Sequence, residues 1–430
     1  MIHPYFCFNY RGFAVAGPRN SDILNITDMN ERLIVKSFGP VKDMDITFRK
    51  ITILIGDQGT GKSCVAKLFS TFMWLEKDLV MKRRKVDYYE KGEIFRTRLC
   101  SYHRMDSFLK PETYIRFEGT AYGFEYSGGR LRITETGRDI ESLPKIMYVP
   151  AERSVLSVAE NRAKLIKELP DSCSTFNDEF VDSKSSFRAG YDLPFGNLHY
   201  RYDSLNGVSN IWGDGYEEAP VHLSKASSGI QSALPLCLVS EYLSRMVADG
   251  DGVKLSVSEI RRMEREVEAI MSNKDYSESV KEIMLKRLSV TSRYGRFINI
   301  AEEPELNLFP GSQMDVLCSL VRNNASSSGN MLLLTTHSPY TLAIFNMMIM
   351  AGKVAAGADG GMSGEAAETV AAGCPISSDD IAAFCLTGTD CQSIISDTTG
   401  LISKNALDMV SEEIMNRFND LYRLYAKTVR

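Results

Sequence analysis

The sequence predicts an α/β fold in which a mostly parallel sheet, flanked by helices, is accompanied by an antiparallel β subdomain. Residues Thr113–Thr134 alternate apolar and polar side chains, and Gly128-Gly129 interrupts them as a hairpin turn would. Elsewhere, short unbroken apolar runs indicate strands buried on both faces, as in a parallel sheet covered by helices. These runs are Leu33–Val35, Ile51–Ile55, Ile146–Val149, Ile298–Ile300 and Met331–Leu334.

The composition is that of a globular protein. The chain has 430 residues, of which 44% are hydrophobic and 24% charged, so a wholly disordered or fibrous chain is excluded. At about 150 residues per domain, this length allows two or three domains, or one large domain with insertions. The net charge of −5 excludes binding by bulk positive charge, so any nucleic-acid contact needs a local basic patch.

Cysteine usage and hydropathy predict a cytoplasmic protein without a membrane partner. The nine cysteines include no CxxC pair, which favours free thiols in a reducing compartment. The N-terminus lacks the basic region of a signal peptide. The longest apolar stretch, from Leu342 to Ala351, is about half of the roughly twenty residues that a membrane span needs.

Helices are predicted in two further regions. Residues Ser256–Leu288 read as two amphipathic helices separated by a polar break at Ser272–Ser277, with Ser256 and Glu259 as a possible capping box. A last helix is expected from Asn405 to about Lys427. Between these regions, the Gly/Ala-rich segment Gly352–Gly373 predicts a flexible loop.

The strongest motif is the loop GDQGTGKS, which fits G-x-x-x-x-G-K-[ST] at every fixed position. A strand-like run precedes it and a helix-like run follows, so backbone N–H groups and a helix N-terminus would face an anion. Lys62 is expected to reach the β- and γ-phosphates and Ser63 to bind Mg²⁺, so ATP and Mg²⁺ are the predicted cofactors. The predicted nucleotide-binding residues are Gly56, Asp57, Gln58, Gly59, Thr60, Gly61, Lys62, Ser63 and Cys64.

Two further motifs follow apolar strands. Glu302 and Glu303 end the run FINIAEE, where Glu302 would hold Mg²⁺ and Glu303 would act as the general base. Adjacent carboxylates stay ionised together most easily around a cation; the alternative is a solvated acidic strand end. His337 follows MLLLTT and is predicted to sense the γ-phosphate, although a single histidine is more commonly structural. Lys62, Glu303 and His337 are the predicted catalytic residues.

In this order the motifs resemble those of the ATP-binding-cassette (ABC) ATPases, a P-loop NTPase fold. The segment ASSGIQS looks like a degenerate form of the family's LSGGQ signature. On that match, Ser227 and Gly229 take the positions of the signature serine and second glycine. The resemblance implies that they contact the γ-phosphate of ATP held by the other protomer of a homodimer.

Longer segments resemble the SMC-like ATPases. These include RecF-type proteins, the ATPase half of the OLD nucleases, and ATPase subunits of anti-phage defence operons such as Septu, PARIS and retrons. The segments are KSFGPVKDMDITFRKITILIGDQGTGKS, YVPAERS, SSGIQSALPL, EEPELNLFP and TTHSPY. The resemblance covers residues 31–345 and implies an ABC-type ATPase domain with insertions at 154–224 and 245–296. Residues 1–30 would be an N-terminal extension, and 346–430 a flexible loop with a C-terminal helical segment.

The resemblance implies an ATP-driven dimer that acts as a sensor in anti-phage defence. In OLD nucleases a metal-dependent TOPRIM nuclease domain follows the ATPase. Because the Glu plus Asp-x-Asp set of that domain is not found after His337, a nuclease or toxin effector is expected in trans. One departure is Ala151, followed by Glu152, where the family usually has the Q-loop glutamine: either Glu152 assists Mg²⁺ and water, or that coordination is lost. The alternatives are a RecF-like DNA-repair ATPase, a nucleotide-binding transporter subunit, and a scaffold that binds ATP without useful turnover.

A basic stretch could contact nucleic acid. Residues Lys82–Arg104 hold eight basic residues against three acids, with Tyr88, Tyr89 and Tyr102 among them. Such a stretch could track phosphates, dock an acidic partner, or form a solvated face.

Overall fold

A computed structural model describes residues 31–158, 168–216, 219–250, 257–290, 293–357, 364–403 and 406–428. The extension predicted for residues 1–30 lies outside them. The strands are β1 Arg32–Phe38, β2 Val41–Thr47, β3 Ile51–Gly56, β4 Leu109–Glu118, β5 Tyr122–Ser127, β6 Arg130–Glu135, β7 Leu143–Val149, β8 Tyr191–Asp192, β9 Leu198–Asp203, β10 Val208–Gly213, β11 Val221–His222, β12 Tyr294–Glu302, β13 Met331–Thr335, β14 Ile381–Leu386 and β15 Cys391–Ser393.

The α-helices vary in length from a single turn to 23 residues. They are α1 Lys62–Val80, α2 Val86–Glu90, α3 Val155–Val158, α4 Asp171–Ser186, α5 Ser228–Ala248, α6 Val257–Ser272, α7 Glu278–Val290, α8 Pro310–Ala325, α9 Pro339–Ala356, α10 Glu365–Ala372 and α11 Ala406–Thr428. None of these described helices is long and apolar enough to cross a membrane.

The central sheet has the strand order β15-β14-β3-β13-β12-β7. Its strands are parallel except β15, which runs antiparallel to β14. Successive residues of β3 enter different cores: Ile53 packs in the cluster that includes Leu234 of α5, and Leu54 in the one that includes Phe69 of α1. Because helices cover both faces, four of the five predicted apolar runs are confirmed as strands β3, β7, β12 and β13 of this sheet.

The antiparallel sheet has the order β2-β1-β4-β5-β6. The predicted hairpin is confirmed, since Gly128-Gly129 joins β5 to β6. The run Leu33–Val35 was expected in the parallel sheet, but it lies in β1, which pairs antiparallel with β2 and β4. Leu33 and Val35 are fully buried whereas Ile34 is half-buried, so three apolar residues in a row concealed a strand with one outer face.

The segment between Arg153 and Ser227 contains more structure than its polar sequence, broken by glycine and proline, indicates. Helix α4 is followed by a small antiparallel sheet of order β11-β10-β9-β8, in which Tyr200 and Ile211 are fully buried. The two helices predicted within 256–288 are confirmed as α6 and α7. Ser256 of the predicted capping box lies outside the described residues.

The C-terminal region differs from the predicted loop and helix. Helix α10 lies within the segment expected to be a flexible loop, and α9 continues to Ala356. Strand β14 pairs in parallel with β3, from Ile381 beside Ile51 to Leu386 beside Gly56. Its sequence IAAFCL contains two alanines, which favour strands weakly, so packing against β3 decides its conformation. The last predicted helix is confirmed as α11.

Candidate nucleotide-binding site

The predicted site residues lie at one edge of the central sheet. Strand β3 leads into the loop 56–63, β12 ends at Glu302, and β13 ends just before Thr336 and His337. Because β3, β13, β12 and β7 are parallel neighbours, their carboxyl ends meet at this edge, where α/β folds bind ligands. Strand β7 brings Ala151 and Arg153 to the same edge.

The loop 56–63 needs its glycines. Gly56, Gly59 and Gly61 have φ of 147°, 75° and 102°. A Cβ on Gly56 would lie 2.2 Å from the Leu386 carbonyl oxygen, and one on Gly61 would lie 2.4 Å from Val41 Cγ2. The first clash is with backbone of β14, which cannot move aside, so the neighbouring strand itself requires the first glycine of the motif.

Lys62 closes the loop from inside. Its Nζ donates to the carbonyl oxygens of Gly56 and Asp57, both at 2.8 Å. Burial lowers the pKa of Lys62, and the negative charges of Glu303 and Asp57 oppose that shift. Thr60 Oγ1 also donates to the Asp57 carbonyl, at 2.8 Å. The ammonium group therefore lies within the loop that a phosphate would enter.

The remaining loop residues divide by exposure. Asp57, Gln58, Gly59 and Ser63 are exposed, so their polar atoms can reach a ligand. Cys64 is buried, and burial raises the pKa of its thiol to about 11. Its predicted contribution is therefore limited to the backbone N–H in the first turn of α1, one of the amides that have no partner within the helix.

Glu302 is buried beside Ala151. Its Oε2 accepts a 3.4 Å hydrogen bond from the Ala151 amide, while its buried Oε1 has no hydrogen-bond partner among the described residues. Tyr148 is fully buried nearby; burial, and then the charge of Glu302, raise the pKa of its phenol. A buried carboxylate oxygen without a partner is costly, and it fits a cation or a cation-bound water.

Glu303 and His337 lie close together at this edge. Glu303 Oε1 lies 3.7 Å from His337 Nε2, and both side chains are partly exposed. Glu303 has φ of 43°, which strains a residue other than glycine by about 1–3 kcal/mol and is typical of functional sites. Its amide donates to the Thr335 carbonyl at 2.9 Å, which ties this turn to β13.

Sequence reasoning missed two residues of the site, and Glu305 is the first. Its Oε1 accepts hydrogen bonds from Thr336 Oγ1 at 2.7 Å and from the His337 amide at 2.8 Å. Glu305 thus fixes the backbone that carries His337. The available signal was the third acid in the run EEPE.

Arg153 is the second, and its guanidinium is fully buried. It donates to four backbone carbonyls: Nε to Ser232 at 2.9 Å, Nη1 to Pro150 at 3.1 Å and to Glu302 at 2.6 Å, and Nη2 to Glu303 at 2.6 Å. Burial lowers its pKa to about 10, so it remains charged at neutral pH. Arg153 joins the ends of β7 and β12 to helix α5.

The signature-like residues open helix α5. Ser227 is exposed at its N-terminus. A Cβ on Gly229 would lie 2.8 Å from the Asn307 carbonyl oxygen, so this glycine permits close packing on the loop after Glu303. Asn307 also donates to Ser232 Oγ at 3.0 Å. The contact of Ser227 and Gly229 with nucleotide on a second protomer stays a prediction.

The donor set fits Mg²⁺ held partly by phosphates. Within the described ranges, no group of three or more His, Cys, Asp or Glu side chains could hold a metal by itself. Mg²⁺ commonly uses one or two protein ligands, together with water and substrate phosphates. The exposed Ser63 hydroxyl and the unpaired Glu302 oxygen suit that arrangement.

Two arginines of the basic stretch 82–104 have partners within the chain. Arg96 pairs with Glu93 at 3.0 Å, and Arg104 donates to the Glu168 carbonyl at 2.6 Å. Tyr89 is buried. Contact of this stretch with nucleic acid stays a prediction.

The solved structures described here are distantly similar to the chain. No family model and no curated protein matches the chain. It is similar to an SMC head bound to the C-winged-helix domain of ScpA (11% identity, 85% of this chain, 98% of that one, TM-score 0.36) and to the SMC head of Thermotoga maritima (11%, 85%, 99%, 0.33). A RecF structure from the RecFOR pathway matches at 10% identity over 85% and 99%, with a TM-score of 0.26. These scores carry no argument about activity.

The strand order and the motifs at its edge define the class. The chain has the α/β fold of a P-loop NTPase, with an antiparallel β subdomain and a short helical insertion.

Proposed function

We propose that this protein binds ATP with Mg²⁺ and hydrolyses it at the edge of the central sheet. The observation that carries the proposal is Glu303, whose strained backbone follows β12, the strand next but one to β3. Its carboxylate lies 3.7 Å from His337. A glutamate with a strained backbone, whose carboxylate lies beside a histidine at the ligand-binding edge, is suited to activating water.

Each site residue has a separate role in binding or hydrolysis. The loop amides and the N-terminus of α1 bind the phosphates, and Lys62 exchanges its two loop carbonyls for phosphate oxygens. Ser63 and Glu302 would hold Mg²⁺, which neutralises phosphate charge when bound. Glu303 accepts the proton of the attacking water, and His337 contacts the γ-phosphate.

We further propose that two protomers sandwich ATP and that the dimer is a cytoplasmic sensor in anti-phage defence, with a nuclease or toxin partner. The exposed Ser227 at the start of α5 supports a contact in trans. The defence role rests on the resemblance to SMC-like ATPases. A RecF-like DNA-repair ATPase is the second candidate, favoured by the residual basic stretch 82–104, and DNA-stimulated hydrolysis without an effector partner would support it.

The test is steady-state hydrolysis with Mg²⁺ by wild type, Glu303→Gln and Glu112→Gln. Glu112 is an exposed glutamate on β4, so its variant controls for the chemical change. Loss of the general base should lower kcat by about 10²–10⁴-fold in Glu303→Gln, with ATP binding retained. Wild-type turnover in that variant would refute the assignment of the base. ATP binding without hydrolysis by the wild type would instead favour the scaffold alternative.

A further inference from the structure

A cavity lies between helix α1, strand β7 and the basic stretch, apart from the loop 56–63. Its volume is about 470 Å³, within the range of roughly 300–1,000 Å³ that is usual for small-molecule sites. Trp74 lines it from α1, Tyr88 and Arg98 from the basic stretch, and Tyr148 from β7. No acidic side chain is among the described residues that line it.

His103, which lines this cavity, is a buried polar group without a partner. Its side chain is 2% exposed, and neither ring nitrogen has a hydrogen-bond partner among the described residues. The ring lies edge-on between Tyr102 and Tyr148, with both centroids 4.8 Å away. Burial lowers its pKa to about 3, so the ring is neutral and offers one donor and one acceptor. Leaving such groups unpaired costs about 1–3 kcal/mol each.

The rim of the cavity combines aromatic faces with positive charge. Trp74 and Tyr88 are 39% and 36% exposed, so parts of both rings are available for stacking. The guanidinium carbon of Arg84 lies 5.2 Å from the centre of the Tyr88 ring. Asp78, 4.0 Å from Arg84, offsets part of that charge, whereas Arg98 is exposed at the rim.

We propose that this cavity binds a free nucleotide, a planar heteroaromatic ring with an anionic group, at a site separate from the phosphate loop. The ring stacks on the exposed aromatic faces. The His103 imidazole, whose nitrogens are buried in the cavity wall, turns so that one nitrogen pairs with the polar edge of the ligand. The anionic group lies against Arg84 and Arg98. An occupant would also contact Tyr148, whose neighbour Glu302 belongs to the proposed Mg²⁺ site.

The test uses nucleoside monophosphates on a Lys62→Ala chain, in which the phosphate loop is weakened, so its outcome does not depend on the proposed ATPase activity. We expect at least one of AMP, GMP, CMP and UMP to bind in calorimetry with a Kd below about 1 mM. His103→Leu and Arg98→Met, each added to Lys62→Ala, should weaken binding about tenfold or more. Arg130→Met, at an exposed arginine of β6, should not.

Two results would overturn the proposal. One is that no monophosphate binds below about 1 mM, or that binding is indifferent to both His103→Leu and Arg98→Met. Arg98 is exposed, so its variant remains informative if His103→Leu fails to fold. The other is binding of a single-stranded oligonucleotide, lost in the same variants, without binding of any monophosphate. That result would assign the cavity to the end of a nucleic-acid strand.

Discussion

Replacing Arg153 by methionine should damage both stability and catalysis. The four carbonyl groups that its guanidinium now binds belong to the ends of β7 and β12 and to α5. Hydrogen bonds to charged groups contribute about 1.5–3 kcal/mol each, and the cost of burying the charge offsets part of their sum. Since the Glu302 carbonyl would lose its guanidinium donor at the buried edge, whereas the Pro150 carbonyl keeps the Arg153 amide, we expect a net loss of about 3–5 kcal/mol.

The catalytic effect follows from the turn at Glu303. Arg153 Nη2 binds the Glu303 carbonyl, and the Glu303 amide binds Thr335, so the two bonds hold a backbone at φ of 43°. Without Arg153 this strained turn can relax and move the carboxylate away from His337. A displacement of about 1 Å can cost about 10²-fold in rate, so kcat should fall by that order. ATP affinity should change little, because the loop 56–63 has its own bonds.

Urea unfolding and Mg²⁺-ATPase kinetics provide the assay. Arg153→Lys keeps the charge but has one nitrogen in place of three, so we expect intermediate losses in both measurements. Arg130→Met should stay within about 0.5 kcal/mol of wild type. Wild-type kcat in a folded Arg153→Met variant would refute the inference that Arg153 holds the turn at Glu303. A loss of ATP affinity as large as the loss of kcat would show a general disturbance of the site.

Two further predictions concern acid stability and the phosphate loop. The pKa of His103 is about 3 in the folded chain and 6.5 in the unfolded chain. As the pH decreases, the unfolded chain therefore takes up the proton first, and the free energy of unfolding decreases. At pH 5 this lowers the free energy of unfolding of wild type by about 2 kcal/mol. In urea unfolding, the stability that His103→Leu loses between pH 8 and pH 5 should be smaller than the wild-type loss by that amount. An equal loss in the two proteins would contradict the buried neutral ring. Gly56→Ala should abolish tight ATP binding in calorimetry, because its Cβ would meet Leu386 at 2.2 Å. Gly59→Ala, with no atom within 4 Å, should incur backbone strain alone, and equal affinities of the two variants would show that the contact with β14 is unimportant.

The sequence predicted those features of the site that depend on local chemistry. Glycines with a lysine and a serine at fixed spacing specify the loop 56–63, and apolar runs specify the strands that align it with Glu303 and His337. Strand β14 was missed because its alanines carry little strand preference, and its pairing with β3 joins residues 330 positions apart. That strand matters for the site, since Leu386 is the group that Gly56 must avoid.

Arg153 and Glu305 were missed because each acts through backbone atoms rather than through a motif of its own. Arg153 binds backbone carbonyls 79, 149 and 150 positions away in the sequence. Because any residue type can supply a carbonyl, no pattern of side chains predicts the contact. Glu305 likewise binds a backbone amide, 32 positions away, that any residue type could supply. The strain at Glu303 explains why such residues are needed: a left-handed glutamate persists only if neighbours hold it from several sides. A motif identifies the group that does the chemistry, whereas the buried cation and the third carboxylate determine where that group lies.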